Sequence, residues 1–397
     1  MTSGAMRATK RTLQFLALAP ALLLAGCIPQ AQGAGIAAQR APSARPAPAR
    51  IPHRTAPPAV RTAPPVARAV PAAPAAIPTA AQRRLDARIA ELGRTFEGEV
   101  GIAVREVDSG WTADWNGGRY FPQQSVSKFW VAITAFGRAD AGELDLSQEV
   151  TVRREDLTLF HQPIAQQVGT NGYRTTIESL LFRAITQSDN TANDFVMRRA
   201  GGPEAVRAMI ARNDLEGVRF GPGERAMQSQ IAGLQWQPAY SVGRAFYTAR
   251  AGVPTDRRRQ AFQAYVEDPI DGATPDGIVS GLARLQRGEL LSPQSTRRLL
   301  SIMSQTRTGR QRLTGGLAPG WRIAHKTGTG QVLGSTQAGY NDIGILTSPD
   351  GRHYAVAVMI GRTSVPIPRR MALMQDVTRA VIAYHEASRS GEDGYSR

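Results

Sequence analysis

The sequence predicts an α+β fold in which an antiparallel sheet flanked by helices lies beside an all-helical subdomain. Segments rich in β-branched and aromatic residues occur soon after residue 100 and again after residue 320. The region between them has helical periodicity. The turn sequence at Ser348–Arg352 is typical of a β-hairpin between the last two strands. Strands from both ends of the domain, with helices between them, indicate an antiparallel sheet.

Each element follows from a local pattern. Leu85, Ile89 and Leu92 recur at helical spacing, so the globular domain is expected to open with a helix near Ala81. The predicted strands are Val100–Val107, Trp111–Trp115, Trp321–Lys326, Tyr340–Thr347 and Tyr354–Gly361. The predicted helices are Val126–Phe136, Ile177–Ile185, Thr191–Ala200, Pro203–Arg212, Ser292–Ser304 and the closing helix Arg369–Ser388.

The N-terminal segment, residues 1–27, has the features of an export signal. A basic start precedes the apolar run Leu13–Leu24, which is too short to span a bilayer comfortably. The run ends in Leu-Ala-Gly-Cys at Cys27, which resembles the lipobox of bacterial lipoproteins. This resemblance implies cleavage before Cys27 and its lipidation. Because Ile28 rather than an aspartate follows, it also implies a periplasmic location at the outer membrane. An ordinary secretory signal with an incidental cysteine is the alternative.

Composition separates a tether from a domain. Residues 28–80 are rich in Ala, Pro and Arg and form a predicted disordered tether, because they bury too little apolar surface to offset the entropy of ordering. Residues 81–397 form one predicted domain.

The net charge of +16 is concentrated in residues 1–80, which hold nine basic residues and no acidic one. The rest lacks an arginine stripe interleaved with aromatics, so we expect no nucleic-acid partner.

Cysteine and histidine usage excludes several kinds of site. Cys27 is the only cysteine, which excludes a disulfide framework, a Cys-based zinc site and an iron–sulfur cluster. His53, His353 and His385 are scattered without the spacing of metal ligands. We therefore expect neither a metal nor another cofactor.

Lysine usage indicates where the chemistry lies. Only three of the 48 basic residues are lysines: Lys10, Lys128 and Lys326. Retention of lysine in an arginine-rich chain favours a site that needs a compact amine able to change protonation state, although chance retention is the alternative. Lys128 follows Ser125 by three residues at the start of a predicted helix, so the amine and hydroxyl are neighbours. Such an amine can activate the hydroxyl, and the helix N-terminus offers N–H groups to an oxyanion.

Two further motifs follow in order. Ser188-Asp189-Asn190 lies at the junction of two predicted helices, and Lys326-Thr327-Gly328 ends a predicted strand. Ser-x-x-Lys, Ser-Asp-Asn and Lys-Thr-Gly in this order make the chain similar to the penicillin-recognising serine enzymes, and most similar to class A β-lactamases. The resemblance covers about residues 85–388. It implies that family's fold, an active site between the sheet and the helical subdomain, and hydrolysis of a small-molecule β-lactam. We expect the protein to be a monomer.

The resemblance also implies a role for each residue of the first two motifs. Ser125 is the implied nucleophile that becomes acylated, and Lys128 is its proton relay. Ser188 is implied to pass a proton to the departing lactam nitrogen. Asn190 is implied to bind the amide of the substrate's side chain.

The third motif is implied to bind the substrate's carboxylate and carbonyl. Lys326 and Thr327 would hold the carboxylate, and Gly328 would allow close approach of the backbone. The backbone N–H groups of Ser125 and Thr329 form the implied oxyanion hole.

Deacylation is the step on which the sequence departs from the family. The family's Glu-x-x-Leu-Asn string is absent, and the nearest string is Glu224–Gln228, with Met for Leu and Gln for Asn. Glu224 is the candidate general base, and Glu216 is the next candidate. Without a competent base the chain would be a D,D-peptidase or penicillin-binding protein acting on peptidoglycan stem peptides. A non-catalytic cell-wall-binding lipoprotein is a further alternative.

Four other features have weaker interpretations. The segment Ile231–Glu267 is longer than the family's usual one, and its aromatic residues favour a packed helical addition over a substrate cage. Phe160 falls where the family places an aromatic at the pocket rim. Arg362 is a candidate for supporting the substrate carboxylate. Strand alternation turns His325 away from Lys326, so His325 is interpreted as structural.

Overall fold

A computed structural model of the protein describes residues 77–390. The predicted signal segment with Cys27 and the predicted tether up to residue 76 lie outside the described residues, as do residues 391–397. The described chain opens with helix α1 (Ala80–Thr95). Thr79 caps this helix, because its hydroxyl accepts a hydrogen bond from the backbone N–H of Gln82 at 3.2 Å.

The central feature of the described residues is an antiparallel sheet. The strands are β1 (Val100–Glu106), β2 (Thr112–Trp115), β3 (Glu149–Val152), β4 (Tyr173–Thr176), β5 (Arg322–Thr329), β6 (Val332–Leu333), β7 (Thr336–Thr347) and β8 (His353–Thr363). The large sheet has the order β2-β1-β8-β7-β5, and β6 pairs with β7. Every pairing in it is antiparallel, as predicted. β3 and β4 form a separate two-stranded sheet.

Helices cover both faces of this sheet. After α1 they are α2 (Lys128–Asp140), α3 (Ile177–Thr186), α4 (Asn190–Arg199), α5 (Gly202–Arg212), α6 (Glu224–Ile231), α7 (Ala245–Gly252), α8 (Thr255–Glu267), α9 (Pro275–Gln286), α10 (Pro293–Met303) and α11 (Ile367–Arg389). α1 and α11 pack together on one face. Helices α2 to α5, with α9 and α10, form a second apolar core on the other face. The predicted α+β architecture with a helical subdomain is confirmed.

The alternation of side chains in β8 divides the two cores. Ala357 and Met359 pack with the helical subdomain, whereas Val356 and Val358 pack with α1 and α11. Trp130 of α2 is fully buried in the first core, and its indole N–H donates to Oε1 of Gln123 at 2.7 Å. This hydrogen bond joins the start of α2 to the segment that precedes it.

Several boundaries differ from the predicted ones. The helix expected from Val126 begins at Lys128, because Gln124–Ser127 form a 3-10 turn. β5 continues three residues beyond Lys326, so the Lys-Thr-Gly motif lies inside the strand. The long segment after residue 231 contains the helices α7 and α8. None of the helices in residues 77–390 has the length and apolarity needed to cross a membrane.

Candidate active site

Ser125 lies in a tight turn that its neighbours hold in place. The turn is the 3-10 segment Gln124–Ser127, which runs directly into α2. Gln124 has a φ of +53°, a left-handed conformation that is uncommon for a residue other than glycine. Its backbone N–H donates to Oδ2 of Asp271 at 2.8 Å, and this contact supports the strained conformation. Ser125 is thereby presented, partly exposed, at the start of a helix.

Lys128 connects this serine to a carboxylate. Its ammonium Nζ donates to Oγ of Ser125 at 2.8 Å and forms an ion pair with Oε1 of Glu224. The Lys128 side chain is fully buried, and 3% of the Glu224 side chain is exposed. Burying an ion pair costs free energy of desolvation, so the pair is a poor source of stability. Ionisable groups buried in this way beside a hydroxyl are typical of a site that transfers protons.

Glu224 is held at the first position of α6. The backbone N–H groups of Glu224 and Arg225 donate to the Asp194 carboxylate at 3.1 and 3.3 Å. Burial raises the pKa of Asp194, and the neighbouring charge of Glu224 adds to this effect. One turn further along α6, the Gln228 amide donates to Oε2 of Glu224 at 3.2 Å. The structure thus places the glutamate of the atypical string beside Lys128.

A second serine–lysine pair is formed by the other two motifs. Nζ of Lys326, in β5, donates to Oγ of Ser188 at 2.9 Å and to the carbonyl oxygen of Thr327 at 2.8 Å. Burial lowers the pKa of Lys326 well below its usual range, and the positive charge of Lys128 lowers it further. The Ser188 hydroxyl is thus held in place by a buried lysine.

The Ser-Asp-Asn motif is organised around its aspartate. Asp189 caps α4 by accepting a hydrogen bond from the Ala192 N–H at 2.9 Å, and it accepts another from the Ile164 N–H at 2.7 Å. Burial raises the pKa of the Asp189 carboxyl. The side-chain amide of Asn190 donates to the carbonyl oxygen of Leu159 at 2.9 Å. Asp189 therefore fixes the turn that carries Ser188 and Asn190.

The end of β5 passes very close to the serine turn. A Cβ atom on Gly328 would lie 2.3 Å from the carbonyl oxygen of Gln123, so this position accepts only glycine without movement of the backbone. Oγ1 of Thr327 lies 2.7 Å from Oγ1 of Thr308. Residues 326–329 thereby form one wall of the site beside Ser125.

Arg312 is a site residue that the sequence did not identify. Its guanidinium donates to Oγ1 of Thr329 at 2.6 Å and to the carbonyl oxygen of Gly328 at 3.0 Å. It also lies 3.7 Å from the centre of the Tyr340 ring. Arg312 is 7% exposed, and no carboxylate of residues 77–390 forms an ion pair with it. A buried guanidinium without an acidic partner favours binding of an anion at the end of β5.

The other candidate residues have contacts of their own. Glu216 is exposed, whereas Glu224 is buried. Arg362 forms an ion pair with Glu99 at 3.1 Å. Nδ1 of His325 lies 2.9 Å from Oδ1 of Asp342, away from the lysine that follows it. Within residues 77–390, no group of three or more His, Cys, Asp or Glu side chains is placed to hold a metal ion.

The long segment after α6 packs against the site from two sides. Phe246 of α7 is buried and contacts Phe160 with the ring centres 5.0 Å apart. Phe262 of α8 packs with Met227 and Ile231 of α6 in a separate apolar cluster. Phe246 and Phe262 are thus used for packing, and α8 supports the helix that begins with Glu224.

The chain is similar to known proteins of one family. The model of the β-lactamase enzyme family matches residues 84–385. The chain is 24% identical over 302 residues to β-lactamase VEB-1 of Pseudomonas aeruginosa, a match that covers 76% of this chain and 90% of that protein. It is 29% identical over 241 residues to the extended-spectrum β-lactamase PER-1 of the same organism, covering 60% of this chain and 67% of that protein.

A solved structure shows the same similarity. The crystal structure of a β-lactamase from Chitinophaga pinensis superposes with a TM-score of 0.62 and 27% sequence identity, covering 76% of this chain and 99% of that one. The TLA-3 extended-spectrum β-lactamase, with a TM-score of 0.64 and 23% identity, shares the fold over 76% of this chain and 98% of its own. The chain therefore belongs to the β-lactamase enzyme family, and it is a hydrolase of the class A serine β-lactamase type.

Proposed function

We propose that the protein hydrolyses the β-lactam amide through an acyl-enzyme on Ser125 and then releases the product with water activated by Glu224. The observation that carries this proposal is the position of Lys128, whose amine contacts both the Ser125 hydroxyl and the Glu224 carboxylate. A hydroxyl beside a base can be acylated, and a carboxylate in the same cluster can activate water. One cluster thus holds the groups for both steps.

Acylation uses the amine of Lys128 as a base. When Lys128 is in its neutral form, the amine accepts the Ser125 proton while Oγ attacks the lactam carbonyl carbon. The C–N bond then breaks, and the nitrogen takes a proton from Ser188, which is hydrogen-bonded to Lys326. Lys128 then returns a proton to Ser188, so its amine is neutral again and Glu224 has remained a carboxylate throughout.

Deacylation needs that carboxylate. Glu224 takes a proton from water, and the water oxygen attacks the ester carbonyl carbon. The ester C–O bond breaks, and the proton returns through Lys128 to Oγ of Ser125. The short path from Glu224 to Lys128 to Ser125 supports this return.

Substrate binding uses the third motif and Asn190. The backbone N–H groups of Ser125 and Thr329 would bind the carbonyl oxygen, whose negative charge grows in the transition state. The cation of Lys326 and the hydroxyl of Thr327 would bind the substrate's carboxylate. Asn190 would hold the amide of the substrate's side chain.

Colour change and intact mass measured together test this function. We expect the purified full chain to turn over a chromogenic cephalosporin continuously. Ser125→Ala should abolish turnover and form no adduct, whereas Glu224→Gln should stop at the acyl-enzyme. Glu216→Gln changes an exposed glutamate and should retain turnover. A burst of one equivalent with a lasting adduct on the unmodified chain contradicts the proposal and identifies a penicillin-binding protein or D,D-peptidase.

We further propose that the chain is a lipoprotein monomer of the periplasm, cleaved before Cys27, lipidated there and held at the outer membrane by residues 28–80. The support is the basic start, the short apolar run and the single cysteine at its end. Labelled palmitate should be incorporated into the wild type and not into Cys27→Ala. Cys27→Ala should also move from the outer-membrane fraction to the soluble one. Equal labelling of both proteins contradicts the lipid anchor.

A further inference from the structure

Three glutamine side chains are joined by hydrogen bonds, and the middle one, Gln228, contacts the carboxylate of Glu224. Gln331 follows β5 by two residues, and its amide Nε2 donates to the backbone oxygen of Gln228 at 2.7 Å and to its side-chain Oε1 at 3.0 Å. The Gln228 amide Nε2 donates in turn to Oε1 of Gln124 at 3.0 Å and to Oε2 of Glu224 at 3.2 Å. The loop after the substrate-binding strand is therefore joined directly to the helix that carries Glu224.

All of these hydrogen bonds point the same way. Beyond Gln228, the Gln124 amide donates to the Tyr265 hydroxyl at 2.5 Å, and that hydroxyl donates to Oδ1 of Asp271 at 2.9 Å. A series of hydrogen bonds that ends on a carboxylate gives each amide one favourable orientation. Reversing any one of the amides would place two donors, or two oxygen atoms, against each other. Gln331 is the first donor of this series.

The orientation of the Gln228 amide decides whether its NH2 group or its oxygen faces the Glu224 carboxylate. With Oε1 of Gln228 occupied by Gln331, the NH2 group of Gln228 faces the Glu224 carboxylate. If the amide were reversed, Oε1 of Gln228 would lie against Oε2 of Glu224, and two oxygen acceptors would repel. Gln228 and Glu224 are both buried, 5% and 3% exposed, so water replaces a lost contact poorly.

We propose that Gln331 is a positioning residue for deacylation, which fixes the Gln228 amide so that its NH2 group holds the Glu224 carboxylate towards the hydrolytic water. This inference rests on the proposed function, because it assigns a task within the Glu224 step. Acylation depends on Ser125 and Lys128, neither of which Gln331 contacts among the described residues. The effect of Gln331 is therefore confined to the second step.

Two variants of Gln331 distinguish a role as hydrogen-bond donor from a role as a side chain that only fills space. Gln331→Ala removes the donor and the side chain together. Gln331→Glu keeps the size of the side chain but replaces the NH2 donor by an acceptor, to which Gln228 would turn its own NH2 group. A residue that only fills space would tolerate Gln331→Glu better than Gln331→Ala, whereas a donor would not. Gln230→Ala changes an exposed glutamine of α6, the helix that carries Gln228, and serves as the matched control.

The experiment resolves the two steps on the full chain. Rapid mixing with a chromogenic cephalosporin gives the burst rate of acylation and the steady-state kcat, and quenched intact mass gives the fraction of acyl-enzyme. We expect Gln331→Ala to lower kcat about tenfold or more with an unchanged burst rate, since small misplacements of a catalytic group cost that much. The acyl-enzyme fraction should rise, and Gln331→Glu should lose at least as much as Gln331→Ala.

Three outcomes would overturn the inference. An unchanged kcat in both variants, with turnover by the wild type, would overturn it and leave the proposed function intact. A Gln331→Glu variant as active as the wild type would show that Gln331 only fills space. A wild type that stops at a lasting adduct would overturn the proposed function and this inference with it. Thermal unfolding of each variant shows whether it is folded under the assay conditions.

Discussion

Lys128 and Glu224 form a buried ion pair between the first residues of two helices that are 96 positions apart in the chain. Removing one partner leaves the other charge buried without compensation, which is far more costly than losing an ion pair on the surface. The pair therefore makes a prediction about stability that is independent of catalysis.

We expect Lys128→Ala to lower the free energy of unfolding by about 3–5 kcal/mol, because Glu224 keeps its burial and loses its cation. The double variant Lys128→Met with Glu224→Leu should regain most of this loss while remaining inactive. Urea unfolding measures both. Arg174→Ala removes the exposed ion pair with Glu149 and should cost at most about 1 kcal/mol. An equal loss in the Lys128 and Arg174 variants would contradict the prediction.

The close approach of β5 to the serine turn predicts the effect of one methyl group. Gly328→Ala would place a Cβ 2.3 Å from the carbonyl oxygen of Gln123, so the strand must move away from the turn. We expect a loss of about 1–3 kcal/mol in the free energy of unfolding and a clear fall in kcat/KM. Gly118→Ala, where no atom lies within 4 Å of the added carbon, is the control. Wild-type kinetics in Gly328→Ala would show that the contact can relax freely.

Asp271 predicts a pH dependence of stability. Burial raises its pKa to about 7 in the folded protein from an ordinary value of 3.8. The folded state therefore binds this proton more tightly than the unfolded state does. The contribution of Asp271 to the free energy of unfolding is largest below about pH 4 and falls as the pH rises to about 7.

Urea unfolding of the wild type and Asp271→Asn between about pH 4 and about pH 8 measures this contribution. The free energy of unfolding should fall more with rising pH in the wild type than in the variant, because the amide does not ionise. Asp256→Asn alters an exposed carboxylate and should leave the slope unchanged. Parallel curves for the wild type and Asp271→Asn would contradict the prediction.

Two arginines give opposite expectations for carboxylate binding. Arg312 is buried against Thr329 and has no acidic partner among the described residues, whereas Arg362 is half-exposed and paired with Glu99. We expect Arg312→Ala to raise KM for a cephalosporin about tenfold, equivalent to about 1.4 kcal/mol of binding. Arg312→Lys should not restore it, because lysine lacks the planar fork. Arg362→Ala should change KM little, and the reverse ranking would assign the role to Arg362.

The sequence predicted what depends on local patterns. The neighbouring Ser125 and Lys128, the strand that carries Lys326 and the turn that carries Ser188 are each defined within a few residues. Strand alternation also predicted the orientation of His325, which pairs with Asp342. The order of these motifs was sufficient to predict the family and, through it, the fold.

What the sequence did not reveal depends on contacts across the fold. Arg312 is one of many arginines in the chain, and only the path of β5 shows that it reaches Thr329. The contact between Gln331 and Gln228 joins residues 103 positions apart. The short strands β3 and β4 have four residues each, too few for a clear alternating pattern. Their pairing comes from the surrounding packing.

The two lysines of the described residues, Lys128 and Lys326, are both almost fully buried, with exposed fractions of 1% and 0%. Reagents directed at primary amines, such as succinimidyl esters, therefore find no accessible side chain on the folded domain. Labelling of Lys128 or Lys326 becomes a probe of opening: it can occur only when the site itself comes apart, and its rate reports how often that happens. Fluorophores and surface coupling directed at residues 77–390 need a different chemistry, or an added lysine far from the site.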